Sequence, residues 1–476
     1  MSFRKLVLTL LFVPALNVGA NDLNLPDLGG ASGGLISAAQ EYELGQQWQR
    51  MFRAQTQTSS DPFIQSYTES VINRLAGYSD LTDRRLDILV VENPTLNAFA
   101  VPGGVVGVHT GLYSFADTEQ QFSSVMAHEL AHLSQRHFAR TIDEQKNNAI
   151  PNVAALLASI LIMATAGGDA GIAALSASQA VMIDNQLRFS RQMEQEADRL
   201  GMATMVRAGM NPYAMPNMFE VMLHASRFQR RPPEFLITHP LTESRISDAK
   251  LRAQQYDKKQ EPVNMEYQLV RVRAALSHEN NMPLAIKSFQ SELQGNTLSE
   301  DVARYGLSLS QLRAGRIEDA EKNNDILLKK SPDNLFFVIG KAEILAEKKQ
   351  FDAAISLLKP KLELKPSNHP LNTKLAEIYM MAGRYAECEM LLQAHSKRRP
   401  KDVYIWYLMA EAHGLAGDIL HVHTARAEYF LLNGIYSKAE NHIRNALRML
   451  EKDDRLFSQL EIKLKKIQKM KRESLM

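Results

Sequence analysis

The sequence lacks several features that mark particular classes of protein. Its 476 residues contain one cysteine, Cys388, so no disulfide can form within the chain. The formal net charge is only +2 at pH 7, which gives no support for binding nucleic acid. Charged residues make up 23% and hydrophobic residues 45% of the chain. These fractions are typical of globular proteins, and the length has room for two or three domains.

Long apolar runs are also scarce. Arg4 and Lys5 precede an apolar run from Leu6 to Val13, and Val18-Gly19-Ala20 supplies small residues for cleavage. This pattern predicts a signal peptide over residues 1–20, and therefore an exported protein. A membrane anchor is the alternative, but the run is too short to span a bilayer.

The motif H-E-x-x-H is the feature that predicts a specific reaction. His128, Glu129 and His132 lie in a stretch that is predicted to be helical from about Thr118 to Arg140. Four residues make slightly more than one helical turn, so the two imidazoles point the same way. That spacing lets both histidines bind one zinc ion, with Glu129 beside the metal as a base. The alternative is a polar helix face that carries two surface histidines.

A catalytic zinc site needs a third protein ligand, and carboxylates farther along the chain can supply it. In the run from Arg191 to Leu200, Glu194 and Asp198 share one face of a predicted helix. One carboxylate can bind the metal, and the other can accept a hydrogen bond from the far nitrogen of a ligand histidine. Glu196 is a rival ligand on a different face, and a solvated acidic helix is the plain alternative.

A second apolar segment lies between these two motifs. Residues 150–166 are of borderline length for a membrane span, but Pro151, Asn152 and the Gly167-Gly168 break argue against one. We predict an apolar helical hairpin over residues 150–183 that covers the site or touches the membrane surface. A hairpin buried in the core is an equal alternative.

Patterns before residue 260 predict an α+β domain that is mostly helical and contains a small sheet. The β-rich run Leu86–Val91 predicts a strand. Asn97–Ala100 and Val105–His109 flank Pro102-Gly103-Gly104, which predicts a hairpin-like pair of strands. A charged linker follows, so we assign residues 21–260 to this domain.

The remainder of the chain repeats with a period of 34 residues. Proline, small and larger apolar residues recur on this period at Pro332, Pro366 and Pro400, at Ala320, Ala354 and Cys388, and at Ile317, Phe351, Tyr385 and Ile419. The period is typical of tetratricopeptide repeats, whose paired helices stack into a superhelix with a concave binding face. We assign residues 265–476 to this all-α domain, with a degenerate first repeat over Met265–Leu298.

Three details of the repeat domain carry their own predictions. The phase slips by half a repeat past Ile419, so we expect one helix to serve two hairpins. Cys388 takes a position that is alanine in other repeats, so we expect a small packed residue. The basic run over residues 463–472 predicts a solvated terminal helix, with contact to an anionic surface as the alternative.

With H-E-L-A-H followed by E-Q-E-A-D, the chain resembles the zinc peptidases related to the CAAX prenyl proteases and HtpX. In that family the second motif is E-x-x-A-D, so the resemblance assigns Glu194 as the third ligand and leaves Glu196 at a variable position. It assigns Asp198 as the acid behind a ligand histidine. Two further stretches fit the family, namely Asn97-Ala98-Phe99-Ala100 before Pro102-Gly103-Gly104, and Thr238-His239-Pro240 before Arg245-Ile246.

The resemblance covers nearly all of the chain after residue 20, strongly at the four motifs and weakly in the repeats. It implies one Zn²⁺ per chain, held by His128, His132 and Glu194. The order of motifs and repeats is most similar to a periplasmic branch of this family. That similarity implies unfolded or misassembled outer-membrane proteins as clients, a chaperone-like contribution, and contact with the β-barrel assembly machinery through the repeats.

The resemblance also places the T-H-P loop beside the zinc. His239 and Arg245 are then candidate donors to the oxyanion of the transition state. In a second interpretation, a neutral His239 occupies the fourth zinc position and holds the enzyme off. Substrate backbone is expected to pair with the edge strand Asn97–Ala100.

Two other functions remain as alternatives to an exported zinc endopeptidase. The first is a chaperone or adaptor whose zinc site is latent or structural, although such a site has no need of Glu129. The second is a membrane-bound prenyl-type protease, which the shortage of spanning segments disfavours.

Overall fold

The computed structural model describes residues 37–145, 161, 190–228, 233–258, 263–295 and 297–473. The predicted signal peptide lies outside the described residues. So does the predicted hairpin over residues 150–183, except for Leu161, which is helical and buried. Among the helices that the structure describes, none combines the length and the hydropathy needed to cross a bilayer.

The domain before residue 260 places helices on both sides of a small sheet. Its helices are α1 (Ala38–Gln55), α2 (Pro62–Tyr78), α3 (Leu112–Phe115), α4 (Glu119–Ser134), α5 (His137–Gln145), α6 (Arg191–Arg207), α7 (Ala214–Phe228), α8 (Glu234–Thr238) and α9 (Glu243–Ala253). Its strands are β1 (Asp87–Val91), β2 (Ala98–Val101) and β3 (Val105–His109). The α+β class predicted from the sequence is confirmed.

The sheet has the order β1-β3-β2, with β1 parallel and β2 antiparallel to β3. Gly103 and Gly104 make the β2–β3 turn with φ of 84° and 82°, values that side chains other than glycine rarely adopt. The outer edge of β1 is covered, because Ser59 N–H donates to Val90 O at 2.8 Å. The outer edge of β2 faces α4 and the site that α4 carries.

The helix that carries H-E-x-x-H is buried on nearly all sides. Thr118 and Gln121 form a capping box at its start, which satisfies two backbone N–H groups. The helix ends at Ser134, because Arg136 adopts a left-handed φ of 51° and α5 begins at the next residue. The prediction of one helix continuing to Arg140 was therefore wrong. No glycine or proline in the sequence marks this break.

The repeat domain is a stack of antiparallel helices. They are α10 (Met265–Ser277), α11 (Met282–Glu292), α12 (Glu300–Arg313), α13 (Ile317–Lys330), α14 (Leu335–Glu347), α15 (Phe351–Leu364), α16 (His369–Met381), α17 (Tyr385–Arg398), α18 (Val403–Ala416), α19 (Ile419–Leu432), α20 (Tyr436–Leu447) and α21 (Arg455–Glu473). Helix α19 packs against both α18 and α20, as other helices of the stack do with their neighbours, so the sharing of one helix by two hairpins stays a prediction. Cys388 is buried, and its thiol donates to Ala376 O.

The repeats pack directly on helix α2 of the α+β domain. The rings of Phe63 and Phe336 stack with centroids 4.1 Å apart. Arg399 forms two hydrogen bonds to Glu69, at 2.6 and 2.8 Å. The surface of the repeats that meets α2 is thus occupied by the chain itself, so a client must use another part of the repeat surface or displace this contact.

Candidate metal-dependent active site

Two helices bring the predicted zinc ligands together. Helix α6 packs along α4, and Gly201 lies at a close approach of the two backbones. A Cβ atom at this position would be 3.1 Å from the backbone nitrogen of His128 and from the carbonyl carbon of Ala127. Glycine therefore permits the close approach that carries Glu194 to the histidines.

The ligand atoms of His128, His132, Glu194 and His239 all lie within 4.8 Å of one another. The Nε2 atoms of His128 and His132 are 3.0 Å apart. Each Nε2 atom is also 3.5 Å from a carboxylate oxygen of Glu194. Tetrahedral zinc with bonds of about 2.0–2.2 Å needs ligand atoms roughly 3.4 Å apart. These side chains, all buried, fit a zinc ion.

His239 joins this group from the turn after α8. Its Nδ1 atom is 2.9 Å from Glu194 Oε1 and 3.3 Å from His128 Nε2. The ring of Phe235 stacks on the imidazole, with centroids 4.7 Å apart and planes inclined by 26°. His239 is therefore placed where it could supply a fourth ligand.

Further side chains contact the far nitrogens of the two motif histidines. His128 Nδ1 lies 3.0 Å from Asp198 Oδ1, and His132 Nδ1 lies 2.9 Å from His137 Nδ1. His137 in turn contacts Glu196, with Nε2 3.2 Å from the carboxylate. Glu196 thus faces His137 and lies outside the ligand group. Sequence reasoning missed His137, because it is five residues after His132 and follows the helix break, where helical periodicity no longer applies.

Arg245 holds two of the acidic residues of α6, Glu194 and Asp198. Its Nε and Nη2 atoms donate to Asp198 at 2.7 and 2.8 Å. Its Nη1 atom donates to Pro240 O at 2.8 Å and lies 2.7 Å from Glu194 Oε2. The guanidinium is already engaged with two carboxylates and a carbonyl. This arrangement favours a positioning role for Arg245 over the predicted role of an oxyanion donor.

Burial and mutual contact shift the titration of the clustered groups. Burial lowers the pKa of His128. Its hydrogen bond with Asp198 and the nearby carboxylate of Glu194 outweigh burial and raise the pKa to about 9. Burial lowers the pKa of His132 well below its ordinary value. Burial raises the pKa of the Glu194 carboxyl. The neighbouring side chains of His239 and Arg245 outweigh burial and hold this pKa well below the usual range. An uncharged imidazole and an ionised carboxylate are the forms that bind metals, so His132 and Glu194 are held in the binding form, whereas His128 would release a proton when a metal binds.

Glu129 lies between the ligand group and strand β2. The Ala100 N–H donates to its carboxylate. Its Oε1 atom is buried and makes no hydrogen bond within the part of the chain that the structure describes. Burial raises the pKa of the Glu129 carboxyl. One carboxylate oxygen is thus held by the strand, and the other is directed at the site.

The predicted substrate-binding stretch forms the edge of the sheet. His109 N–H donates to Asn97 O at 3.1 Å, so Asn97 forms a hydrogen-bonded pair with β3. By alternation, the backbone groups of Ala98 and Ala100 point away from β3, which agrees with the contact of Ala100 to Glu129.

The segment that leads to His239 is attached to the start of this strand. Glu234 accepts hydrogen bonds from Asn97 Nδ2 at 3.3 Å and from Thr95 Oγ1 at 3.1 Å. Phe235 N–H donates to Leu96 O at 3.4 Å. Sequence patterns did not indicate this link, because the two segments are separated by more than a hundred residues.

Comparisons with known proteins agree with this geometry. Residues 62–253 match the model of peptidase family M48, and residues 345–412 match a tetratricopeptide repeat model. The chain is 32% identical over 423 residues to the beta-barrel assembly-enhancing protease of Escherichia coli (strain K12), covering 89% of this chain and 86% of the relative.

Two further relatives differ in how much of the chain they match. A putative beta-barrel assembly-enhancing protease of Vibrio cholerae is 31% identical over 437 residues, covering 91% of this chain and 90% of the relative. The mitochondrial metalloendopeptidase OMA1 of Schizosaccharomyces pombe is 32% identical over 183 residues, covering 38% of this chain and 50% of the relative. The first similarity includes the repeats, whereas the second is confined to a shorter stretch.

Proposed function

Because the chain belongs to the beta-barrel assembly-enhancing protease family, with a peptidase domain of family M48, we propose that it is a zinc endopeptidase of the periplasm that degrades misassembled outer-membrane β-barrel proteins. The observation that carries this proposal is the convergence of His128, His132 and Glu194 within 4.8 Å, with Glu129 alongside. A structural site would have no use for a buried carboxylate beside the ligands.

The proposed chemistry divides between the metal and the chain. One zinc ion held by His128, His132 and Glu194 would supply the Lewis-acid chemistry of peptide hydrolysis. Glu129 takes the proton of the attacking water and delivers it to the leaving amine. Its hydrogen bond from Ala100 fixes the carboxylate between the ligand group and the substrate strand.

We propose that the substrate adds a strand to the outer edge of β2. The outward backbone groups of Ala98 and the carbonyl of Ala100 would pair with the substrate backbone, which lays the peptide across Glu129. Pairing of this kind recognises backbone more than side chains. It therefore suits extended, unpaired strands of a barrel that has failed to close.

We place the contacts with clients, with the β-barrel assembly machinery, or with a membrane surface outside the buried α2 interface. The outer surface of the repeats remains exposed there, and the chaperone-like contribution would depend on it.

Replacing Glu129 with glutamine tests the proposed activity. Glu129→Gln keeps the size of the side chain and removes the base, so cleavage of an unfolded outer-membrane barrel protein should fall about 10²–10⁴-fold. Bound zinc should stay unchanged. Rates are measured by gel and mass spectrometry of the fragments.

The matched control is Glu220→Gln, which alters an exposed glutamate on α7 that pairs with Lys250. It should cleave like the parent. Equal cleavage by the Glu129→Gln variant and the parent would contradict the proposal.

A latent site or an adaptor function is the second candidate, and the position of His239 favours it. Structural zinc sites are closed by four protein ligands, and His239 lies where a fourth ligand would complete the set. In this hypothesis, His239 blocks the fourth zinc position in the resting enzyme, and the site becomes active when His239 moves away.

This hypothesis predicts that His239→Ala raises basal kcat/KM toward the same unfolded substrate. A fall in kcat with bound zinc retained would instead assign His239 to the transition state. If the Glu129→Gln variant supports client assembly in full and the parent never cleaves, the adaptor function is correct.

A further inference from the structure

A second group of metal-ligating side chains lies in the repeat domain, at the turn between α18 and α19. His413, Asp418 and His421 each offer one ligand atom, and these atoms all lie within 4.8 Å of one another. The Oδ2 atom of Asp418 is 2.6 Å from Nδ1 of His421 and 3.6 Å from Nδ1 of His413. The imidazole rings stack, with centroids 5.2 Å apart. Both histidines thus present the same nitrogen to one carboxylate oxygen.

The backbone of the turn fixes this arrangement. Gly417 ends α18 in the left-handed conformation, with φ of 78°, and Asp418 N–H donates to His413 O at 2.9 Å. The Asp418 side chain caps α19 by accepting from His421 N–H at 3.2 Å. The His413 side chain is 5% exposed, whereas those of Asp418 and His421 are 35% and 45% exposed. The group is therefore rigid at its base and open to solvent on one side.

The repeat fold does not require these three residues. One period earlier, Tyr379, Arg384 and Glu387 take the corresponding positions around another left-handed glycine, Gly383. Arg384 makes no side-chain hydrogen bond that caps its helix. Helix pairing alone therefore does not explain two histidines and an aspartate at one turn.

We propose that His413, Asp418 and His421 bind a divalent transition-metal ion of the zinc class, at a site separate from the peptidase site. Imidazole and carboxylate donors together suit such ions better than they suit calcium or magnesium. Tetrahedral binding needs ligand atoms roughly 3.4 Å apart, close to the 3.6 Å between His413 and Asp418. The metal would replace the proton shared by His421 and Asp418, and water would complete its coordination.

The bound ion would join two helices that are otherwise connected by a short turn. His413 belongs to the last turn of α18 and His421 to the first turn of α19. Helix α19 also packs against α1 of the peptidase part. Because a ligand that binds only the folded state stabilises it by mass action, zinc should raise the melting temperature through this site.

Zinc stoichiometry tests the proposal. The parent is the full-length chain without an affinity tag, carrying Glu129→Gln so that it does not digest itself. After equilibrium dialysis against Zn²⁺ and elemental analysis, it should hold about two zinc ions per chain, and Asp418→Asn or His421→Ala should hold about one. Asparagine caps helices as well as aspartate does, so Asp418→Asn keeps the fold of the turn. The matched control is His423→Ala, which removes a neighbouring imidazole paired with His442 and should leave the zinc content of the parent.

A thermal measurement separates this site from the peptidase site. In a second background, the full-length chain with His128→Ala and His132→Ala, added Zn²⁺ should still raise the melting temperature. Adding Asp418→Asn to this background should abolish that rise. The proposal is overturned if the Asp418→Asn and His421→Ala variants keep the zinc content of the parent, or if the thermal rise survives Asp418→Asn. Zinc that is lost from the His128→Ala/His132→Ala variant but kept by Asp418→Asn and His421→Ala would support the proposed peptidase site and overturn this second one.

Discussion

Single residues behind the ligands decide how firmly the proposed zinc is held. Asp198 meets His128 on one side and Arg245 on the other, with contacts of 3.0 Å and 2.7 Å. Such partners orient ligand histidines, and their loss typically weakens metal binding about 10–100-fold. In the proposed site, Arg245 orients Glu194 and Asp198 together.

We therefore expect Arg245→Ala to weaken zinc affinity about 10–100-fold. Arg245→Lys should have an intermediate effect, because an ammonium cannot form the paired hydrogen bonds of a guanidinium. Competition with a fluorescent chelator measures both affinities. Arg207→Ala, at the exposed end of α6 and paired with Asp80, is the matched control. Unchanged affinity with lost activity would return Arg245 to the role of oxyanion donor.

At this scale, helical spacing predicted the paired histidines and the paired carboxylates, and the family resemblance chose Glu194 as the ligand and Asp198 as the acid behind a histidine. His128, His132, Glu194 and Asp198 all lie at helical intervals within two helices, and the structure brings them together. The position of His137 depends on the irregular backbone at Arg136, which no residue type in the sequence marks. For that reason His137 could not be predicted from spacing.

Among the secondary-structure elements, strand β2 connects the fold to the substrate. Its inner edge pairs with β3, and its outer edge faces Glu129. The sequence predicted this strand to within one residue, because Pro102, Gly103 and Gly104 define the turn after it. The link of the His239 segment to Asn97 is a tertiary contact that local patterns do not encode.

Backbone pairing at β2 predicts a dependence on substrate amides. Two series of peptide substrates are N-methylated at alternate residues, one at odd and one at even positions. The series whose methylated amides face β2 should lose most of its turnover, because each methyl group removes a hydrogen bond to the strand. Methylation in the other register should have little effect, since those amides point to solvent. The two series are compared by kcat/KM. Equal sensitivity in both registers would argue against strand addition.

For the molecule as a whole, the buried interface between the repeats and α2 fixes the two parts together. Arg399 bonds both Glu69 on α2 and Asp402 in the repeats. Near these charges, His369 and His395 are buried with Nδ1 and Nε2 2.9 Å apart. Burial lowers the pKa of each histidine to about 4.

This pair makes stability depend on pH. The unfolded histidines titrate near pH 6.5, so the unfolded chain binds more protons than the folded chain between about pH 6.5 and pH 4. Their contribution to stability is therefore full above about pH 6.5 and is lost as the pH falls toward 4. We expect the melting temperature to drop less over this interval in His369→Gln/His395→Gln than in the parent.

Calorimetry from pH 7 to pH 4.5 measures this difference. His224→Gln, at an exposed position on α7, should follow the parent. Parallel curves of melting temperature against pH for the parent and the double variant would show that the histidine pair does not contribute to the pH dependence of stability.

The division into an α+β domain and a helical repeat domain was predictable, because both depend on periodicities that the sequence displays. The docking of the repeats on α2 was not, since the contacts of Arg399 and Phe336 join residues hundreds of positions apart.

Anomalous diffraction at the zinc edge, from crystals of the intact chain, tests the central claim most directly. The account predicts a peak within about 2.0–2.2 Å of His128 Nε2, His132 Nε2 and a carboxylate oxygen of Glu194. A peak that excludes Glu194, or metal-free protein that still cleaves its substrate at the full rate, would contradict it.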